Sequence, residues 1–324
     1  MYNAFFQLTR SPFEVSPDPS LFYATAQHQE ALAGLYYGIR TGKGFMVLTG
    51  EVGTGKTLVL RCLQELLDKN RVAYAYVFNP RLSSQQFLAY VAEDLGLSPH
   101  PTAKSDLLIG LSRLLIERHQ HGVATVLVVE EAQHLTPIVL EEIRLLTNLE
   151  TTRGKLLQIL LAGQPELEAK LDSPALRQLK QRVTLWFRLR LLTEQETSDY
   201  VRCRLRLAGD KSGQIFSPAS HEWVYRYSQG TPRLINTLCD NAMMSAFALR
   251  KGQVTPELIE EAALDLGMKR ASANGRSVAS GVRWQVGGDA HEEEGAGFAA
   301  VLEARDPGSH GYREPDSAAK EDNE

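Results

Sequence analysis

"GEVGTGKT", residues 50–57, follows the apolar run "FMVL" (45–48) and precedes "LVLRCLQELL" (58–67), which has helical spacing. Three glycines, a lysine and two threonines fall within eight positions. The stretch satisfies G-x-x-x-x-G-K-[ST] in full, and it stands between a strand and a helix, where that loop has to stand. Gly53 and Gly55 let backbone N–H groups turn inward around phosphate oxygens, and the helix that follows adds its partial positive charge. Lys56 is placed to bridge the β- and γ-phosphates of a nucleotide, and the Thr57 hydroxyl is placed to ligate Mg²⁺. Gly50, Glu51, Val52, Gly53, Thr54, Gly55, Lys56 and Thr57 therefore form the candidate phosphate loop. A chance match in a chain of this length has a probability of roughly one per cent.

A loop alone implies binding, not turnover. The second signal is "VLVVEEAQHL", residues 126–135, an apolar run that ends in two adjacent acids. Such a strand end points Glu130 toward the Mg²⁺ water shell and Glu131 toward the γ-phosphate, where it can orient or deprotonate an attacking water. The usual pair is Asp-Glu, so Glu130 is a departure with one extra methylene of reach.

Working outward, short apolar runs alternate with amphipathic ones. "GFMVLTG" (44–50), "VAYAYVFNP" (72–80), "VATVLVVEEA" (123–132), "KLLQILLAGQ" (155–164) and "LWFRLRLL" (185–192) predict strands. Between them "SSQQFLAYVAEDLGL", "SDLLIGLSRLLIERHQ" and "PIVLEEIRLLTNLE" predict helices. That alternation means βαβ units and an α/β fold with a parallel sheet flanked by helices. After Leu192 the strands stop. Thr193 with Glu196 forms a capping box, and Ser217-Pro218 opens another helix. Four helical segments in all predict a small all-helical lid. The expected organisation is an α/β core over 1–192, a helical lid over 193–267 and an acidic disordered tail over 268–324.

The tail prediction rests on composition. The 324 residues carry a net charge of −4, yet residues 271–324 hold 5 Arg and Lys against 11 Asp and Glu, leaving the body at +2. The tail is rich in Gly, Ala and Ser and cannot bury enough apolar surface to offset its ordering entropy. No apolar stretch approaches the roughly 18 residues of a membrane helix, and the N-terminus lacks the pattern of a secretory signal. Cys62, Cys203 and Cys239 are widely spaced and predict buried thiols in a reducing compartment. A cytoplasmic protein is expected, peripheral to the inner membrane only through a partner. His28, His119, His121 and His134 show no metal-ligand spacing and read as structural.

"GEVGTGKT", "VVEEAQHL", "IRLLTNLET", "LLQILLAGQPEL", "LRQLKQRV" and "GTPRLIN" together resemble the AAA+ ATPases of the ExeA/GspA type, over about residues 1–267. That family serves general secretion pathway assembly, with relatives in pilus and exopolysaccharide/exosortase gene clusters. Its ExeA members continue into a membrane helix and a peptidoglycan-binding domain, and this sequence shows only the acidic tail. The resemblance implies ATP and Mg²⁺ as cofactors, a homo-oligomer, and an unknown protein partner in secretion or envelope assembly. It places Gln164 at sensor 1, Arg233 at sensor 2 and Arg182 as an arginine finger for a neighbouring subunit, with Arg177 competing for that role. Asn148 and Glu150 fall in an interface or switch element. Phe13, Phe22 and Tyr23 could flank an adenine, although aromatics at such positions are more often core. Two alternatives stay open: a nucleotide-gated binding module with little turnover, and a DNA-dependent ATPase of the transposition kind. The nearly balanced body charge disfavours nucleic acid, although Arg190, Arg202, Arg204, Arg206 and Arg233 could form a local basic stripe.

Overall fold

The computed structural model describes residues 2–78, 81–97, 103–152 and 154–269. The tail expected beyond residue 269 lies outside the described residues.

Among the described residues there are seven strands: β1 (Phe45–Gly50), β2 (Ala73–Val77), β3 (Thr125–Val129), β4 (Glu150–Thr151), β5 (Gly154–Lys155), β6 (Gln158–Gly163) and β7 (Val183–Leu189). Five of them form one sheet in the order β2-β3-β6-β1-β7, and every neighbouring pair is parallel. β1, β3 and β6 are buried at every position, because helices cover both faces of a parallel sheet. That is why these strands read as unbroken apolar runs rather than alternating ones. β4 and β5 make a separate antiparallel hairpin, so Glu150 lies in a turn-forming element and not at the end of the preceding helix.

The helices are α1 (Tyr2–Phe5), α2 (Ala26–Arg40), α3 (Lys56–Lys69), α4 (Ser84–Asp94), α5 (Lys104–Gln120), α6 (Pro137–Leu146), α7 (Pro165–Leu171), α8 (Arg177–Lys180), α9 (Glu194–Leu207), α10 (Pro218–Ser228), α11 (Pro232–Ala248) and α12 (Pro256–Asp265). α9 opens with a full capping box, in which Thr193 accepts from the Glu196 backbone and Glu196 accepts from the Thr193 N–H. α10 differs. Pro218 holds its first position, but Ser217 makes no side-chain cap and pairs instead with Ser220.

Two apolar clusters hold these elements. One unites the sheet with α4 to α8 through Val47, Leu127, Leu161, Phe87, Leu111 and Ile143. The other lies among α9 to α12 and takes in Phe6, Leu8 and Phe13 from the chain start. Backbone and side-chain bonds reinforce that docking. Thr9 N donates to Ala208 O at 2.8 Å. The buried Arg204 guanidinium donates to the carbonyls of Pro12 (2.6 Å), Glu14 (3.1 Å) and Leu21 (3.3 Å). The N-terminal segment is thus sewn to the C-terminal helices. Gly230, between α10 and α11, lies against the segment that follows β7, where Leu192 N donates to its carbonyl at 2.9 Å. Its φ is +72°, and a Cβ there would come within 1.9 Å of Leu192 O. No helix among the described residues is long and apolar enough to cross a membrane.

Candidate nucleotide site

Parallel strands bring their C-terminal ends to one edge of the sheet, and the connections that leave them build the site. β1, β3 and β6 are adjacent and in register, Thr49 beside Gly163 and Val129 beside Leu161. Gly50, Glu130 and Gln164, which end or immediately follow them, are therefore neighbours although they are far apart in sequence.

The loop between β1 and α3 has Gly53 at φ +81° and Gly55 at φ +99°, conformations that L side chains rarely adopt. Lys56 folds back over it: Nζ donates to Gly50 O at 2.6 Å and to Glu51 O at 2.9 Å. Burial pushes the Lys56 pKa down, while Glu131, Glu130 and Glu51 push it up. A largely buried ammonium satisfied by two weak carbonyl acceptors is a ready partner for phosphate oxygens, which bind it more strongly. His28, at the start of α2, fastens the loop from behind. Its Nε2 lies 3.1 Å from Thr54 O, and its Nδ1 lies 2.6 Å from the Thr25 hydroxyl. Burial lowers the pKa of this imidazole, so the neutral ring donates from Nε2 to the carbonyl and accepts the Thr25 hydroxyl at Nδ1.

The two acids have different surroundings. Glu130 is buried, and its Oε1 accepts from the Thr57 hydroxyl. Its Oε2 accepts from the Tyr76 phenol at 2.8 Å. A hydroxyl and a carboxylate in contact are hard oxygen donors of the kind Mg²⁺ takes, usually alongside substrate phosphates and waters. The donor set fits that ion. Glu131 has the left-handed backbone φ 52°, ψ 36° and accepts two amide donors on Oε2, Gln133 Nε2 at 2.6 Å and Gln164 Nε2 at 3.2 Å. Gln133 also accepts the Gln164 backbone N–H at 3.1 Å, and Lys170 Nζ clamps the Gln133 carbonyl at 2.5 Å. Gln133, Tyr76 and His28 were not assigned by sequence to this site. The motif signals the first ligands of phosphate and metal, whereas the residues that orient them come from other elements and carry no fixed spacing.

A cavity of about 370 Å³ opens between these groups and the C-terminal helices. Lys56, Thr57, Glu131, Gln164 and Arg233 line it, as do Glu14 to Asp18 from the chain start. Arg233 packs on the loop itself, since a Cβ on Gly53 would meet Arg233 Cβ at 2.9 Å. None of Phe13, Phe22 and Tyr23 lines the cavity. Phe13 belongs to the helical core, Phe22 meets His28 edge-on and Tyr23 meets Tyr200 edge-on.

Arg182 lies outside the cavity and donates from Nη1 to the Thr147 hydroxyl at 2.7 Å, while Arg177 is exposed. Asn148 is exposed, and Glu150 pairs with Lys155, which lowers its pKa. The five arginines of the candidate basic stripe have separate engagements. Arg190 pairs with Glu196, Arg204 is buried, Arg233 is at the loop, and Arg202 and Arg206 line a different cavity.

A five-stranded parallel sheet in this order, a phosphate loop after β1, an acid pair after β3 two strands away and a helical unit carrying an arginine to the loop define a P-loop nucleotide-binding fold of AAA type. Residues 39–171 match the AAA domain family. It is 47% identical over 249 residues to General secretion pathway protein A of Aeromonas hydrophila, a match covering 76% of this chain and 45% of that protein. The chain thus spans less than half the length of this relative. Among solved structures, the Aeropyrum pernix ORC2 protein in its ADPNP-ADP complexes matches with a TM-score of 0.60 at 17% identity, over 82% of this chain and 73% of that one. The Thermotoga maritima RuvB Holliday junction branch migration motor matches at 0.53 and 15% identity, over 78% and 74%. At these identities the two structures show a shared fold.

Proposed function

We propose that this chain is a Mg²⁺-dependent ATPase that couples ATP binding and hydrolysis to a change of shape in a partner assembly. The observation that carries the reading is Glu131, a carboxylate held by two glutamine amides at the rim of a cavity shared with Lys56 and Arg233. In this reading the loop N–H groups and Lys56 bind the β- and γ-phosphates, and Thr57 and Glu130 hold Mg²⁺. The ion would neutralise charge on the phosphate oxygens. Glu131 takes a proton from the attacking water while Gln164 orients it. Arg233 senses the phosphates from the helical unit, so residues 1–192 act as the core and 193–267 as a lid over it. Arg182 acts on a neighbouring subunit of a homo-oligomer.

Likeness to a general secretion pathway protein supports a role in secretion, pilus or exopolysaccharide assembly, with a protein partner at the inner membrane face. Nucleic acid is disfavoured, because the arginines that would form its footprint are dispersed into other contacts. Phosphate release with Mg²⁺ and ATP tests the activity, with Glu131→Gln as the control. Turnover unaffected by Glu131→Gln would remove the proposed chemistry from this site.

A further inference from the structure

We propose that a second cavity, bounded by α9 and the loop after it, binds a small polyanion carrying phosphate or carboxylate groups and that its occupancy alters nucleotide binding. The cavity measures about 590 Å³, and Tyr23, Arg202, Arg206, Lys211, Phe216 and His221 contribute to its walls. Nothing in the assigned activity uses it.

The charges at its rim are unevenly satisfied. Asp210 is occupied by its own loop, accepting from Ser212 N (2.8 Å), Ser212 Oγ (2.8 Å) and Gly213 N (3.1 Å). Asp199 accepts twice from Gln195 at 3.1 Å and stands 3.9 Å from Arg202. Arg206 and Lys211 form no side-chain hydrogen bond or ion pair among the described residues. His221 is buried, and its Nδ1 has no hydrogen-bond partner. Desolvation, with Arg202 next, pushes its pKa down to about 4 against a smaller opposing effect of Asp199. The ring is therefore neutral near pH 7 and can present an N–H donor without adding charge. Two unpaired cations, a partly engaged arginine and an orphaned imidazole around one cavity match a ligand rich in acceptor oxygens.

The same helix carries both cavities. Tyr200 and Arg204 of α9 line the nucleotide cavity, and Arg202 and Arg206 line this one, nearly half a turn round the helix. Tyr23, from the second cavity, meets Tyr200 edge-on with ring centroids 5.9 Å apart. Tyr200 in turn donates to Asn236 at 2.8 Å, and Asn236 lines the nucleotide cavity as well. A ligand that repositions Tyr23 or α9 thus acts on residues already in contact with the nucleotide space. Coupling of this kind shows in binding free energy whatever the rate of hydrolysis.

The test uses the full chain, first saturated with Mg²⁺ and a non-hydrolysable ATP analogue so that the loop cannot take up the probe. That saturation also verifies nucleotide binding independently. Calorimetric titration with pyrophosphate should then show one saturable site. Arg206→Gln combined with Lys211→Gln should weaken it about tenfold or more while leaving analogue affinity unchanged, and Lys211→Gln alone should give a smaller loss. Pyrophosphate should change the dissociation rate of a fluorescent nucleotide about fivefold or more in the unaltered chain and not in the double variant. Absence of saturable binding, or binding equally tight in the double variant, would overturn the site. An unchanged dissociation rate would overturn its coupling to the nucleotide.

Discussion

The Thr57 hydroxyl donates directly to Glu130, joining the end of the phosphate loop to the strand two places away across the sheet. Glutamate in place of the usual aspartate reaches this hydroxyl and still leaves its second oxygen for Tyr76. Tyr76 sits on β2, and burial together with Glu130 raises its pKa, so the phenol stays a donor. Tyr76→Phe should free one carboxylate oxygen and let Glu130 swing. Losing a hydrogen bond to a charged group costs about 1.5–3 kcal/mol. Nucleotide affinity measured against Mg²⁺ should shift to about tenfold higher metal, with affinity in EDTA unchanged. An identical Mg²⁺ curve for the variant would show that Tyr76 does not orient the ligand.

Glu131 gives the second expectation. Glu131→Gln keeps shape but cannot accept a proton, so ATP should bind normally and turnover should fall by about 10² to 10⁴. Gln133→Leu should lower turnover less, because Gln164 still reaches Glu131. KM should move little in Gln133→Leu, since Gln133 does not line the cavity. A change in KM with constant kcat would place Gln133 in binding instead.

Gly53 carries the third. Its φ of +81° and the 2.9 Å approach to Arg233 Cβ leave no room for a methyl group. Gly53→Ala should strain the loop and push α11 away, lowering ATP affinity with little loss of global stability. Arg233→Ala should weaken ATP more than ADP if its guanidinium reaches the outer phosphates as proposed. Lys56→Ala should lose most affinity for both. Equal loss for ATP and ADP in Arg233→Ala would argue against a sensing role.

Acid stability provides the fourth. His221 ordinarily titrates at 6.5 and is pushed to about 4 in the fold by burial and Arg202, while burial also lowers the pKa of His28. A depressed pKa means the unfolded chain takes up the proton first. The stabilising contribution is present above about pH 6.5 and is lost as pH falls toward 4. For His221 it amounts to at most about 3 kcal/mol. Urea midpoints should therefore decline between those values, and His221→Gln should flatten the decline. A parallel decline in His221→Gln would assign it to other groups.

How much of this was legible in the sequence follows from where each signal is stored. β1, β3 and β6 are buried on both faces and produce apolar runs too long to miss, and the loop and acid pair have local spacing fixed by phosphate geometry. α2 escaped notice because Gly34 and Gly38 interrupt its apolar stripe. Those glycines are packing sites, where a Cβ would meet Phe187 and Met46. Docking of Phe6, Leu8 and Phe13 among helices about 200 residues later is a long-range choice with no local signature. The same holds for His28 beneath Thr54, whose neighbour comes from another part of the chain, whereas Gln133 meets Glu131 two residues away through the left-handed turn there.

The final expectation concerns the arginine that completes the site in an assembly. Arg182 is committed within its own subunit to Thr147 at 2.7 Å, whereas Arg177, on the short helix just before β7, is exposed. An arginine acting in trans must reach a neighbour's γ-phosphate, and such contacts contribute about 10³ to 10⁵ in rate in known phosphoryl-transfer systems. An isolated subunit should then be slow, with specific activity rising as protein concentration drives association. Arg182→Ala should bind ATP normally and hydrolyse it poorly. Mixed with Lys56→Ala subunits, which lack a working loop but keep their arginine, it should regain turnover at shared interfaces. Arg177→Ala separates the two candidates: if Arg182 only braces Thr147, then Arg177→Ala shows the loss and the rescue, and Arg182→Ala instead lowers thermal stability. Turnover independent of concentration, with no rescue in any mixture of either variant, would leave a monomeric switch in which the arginine acts in cis or not at all.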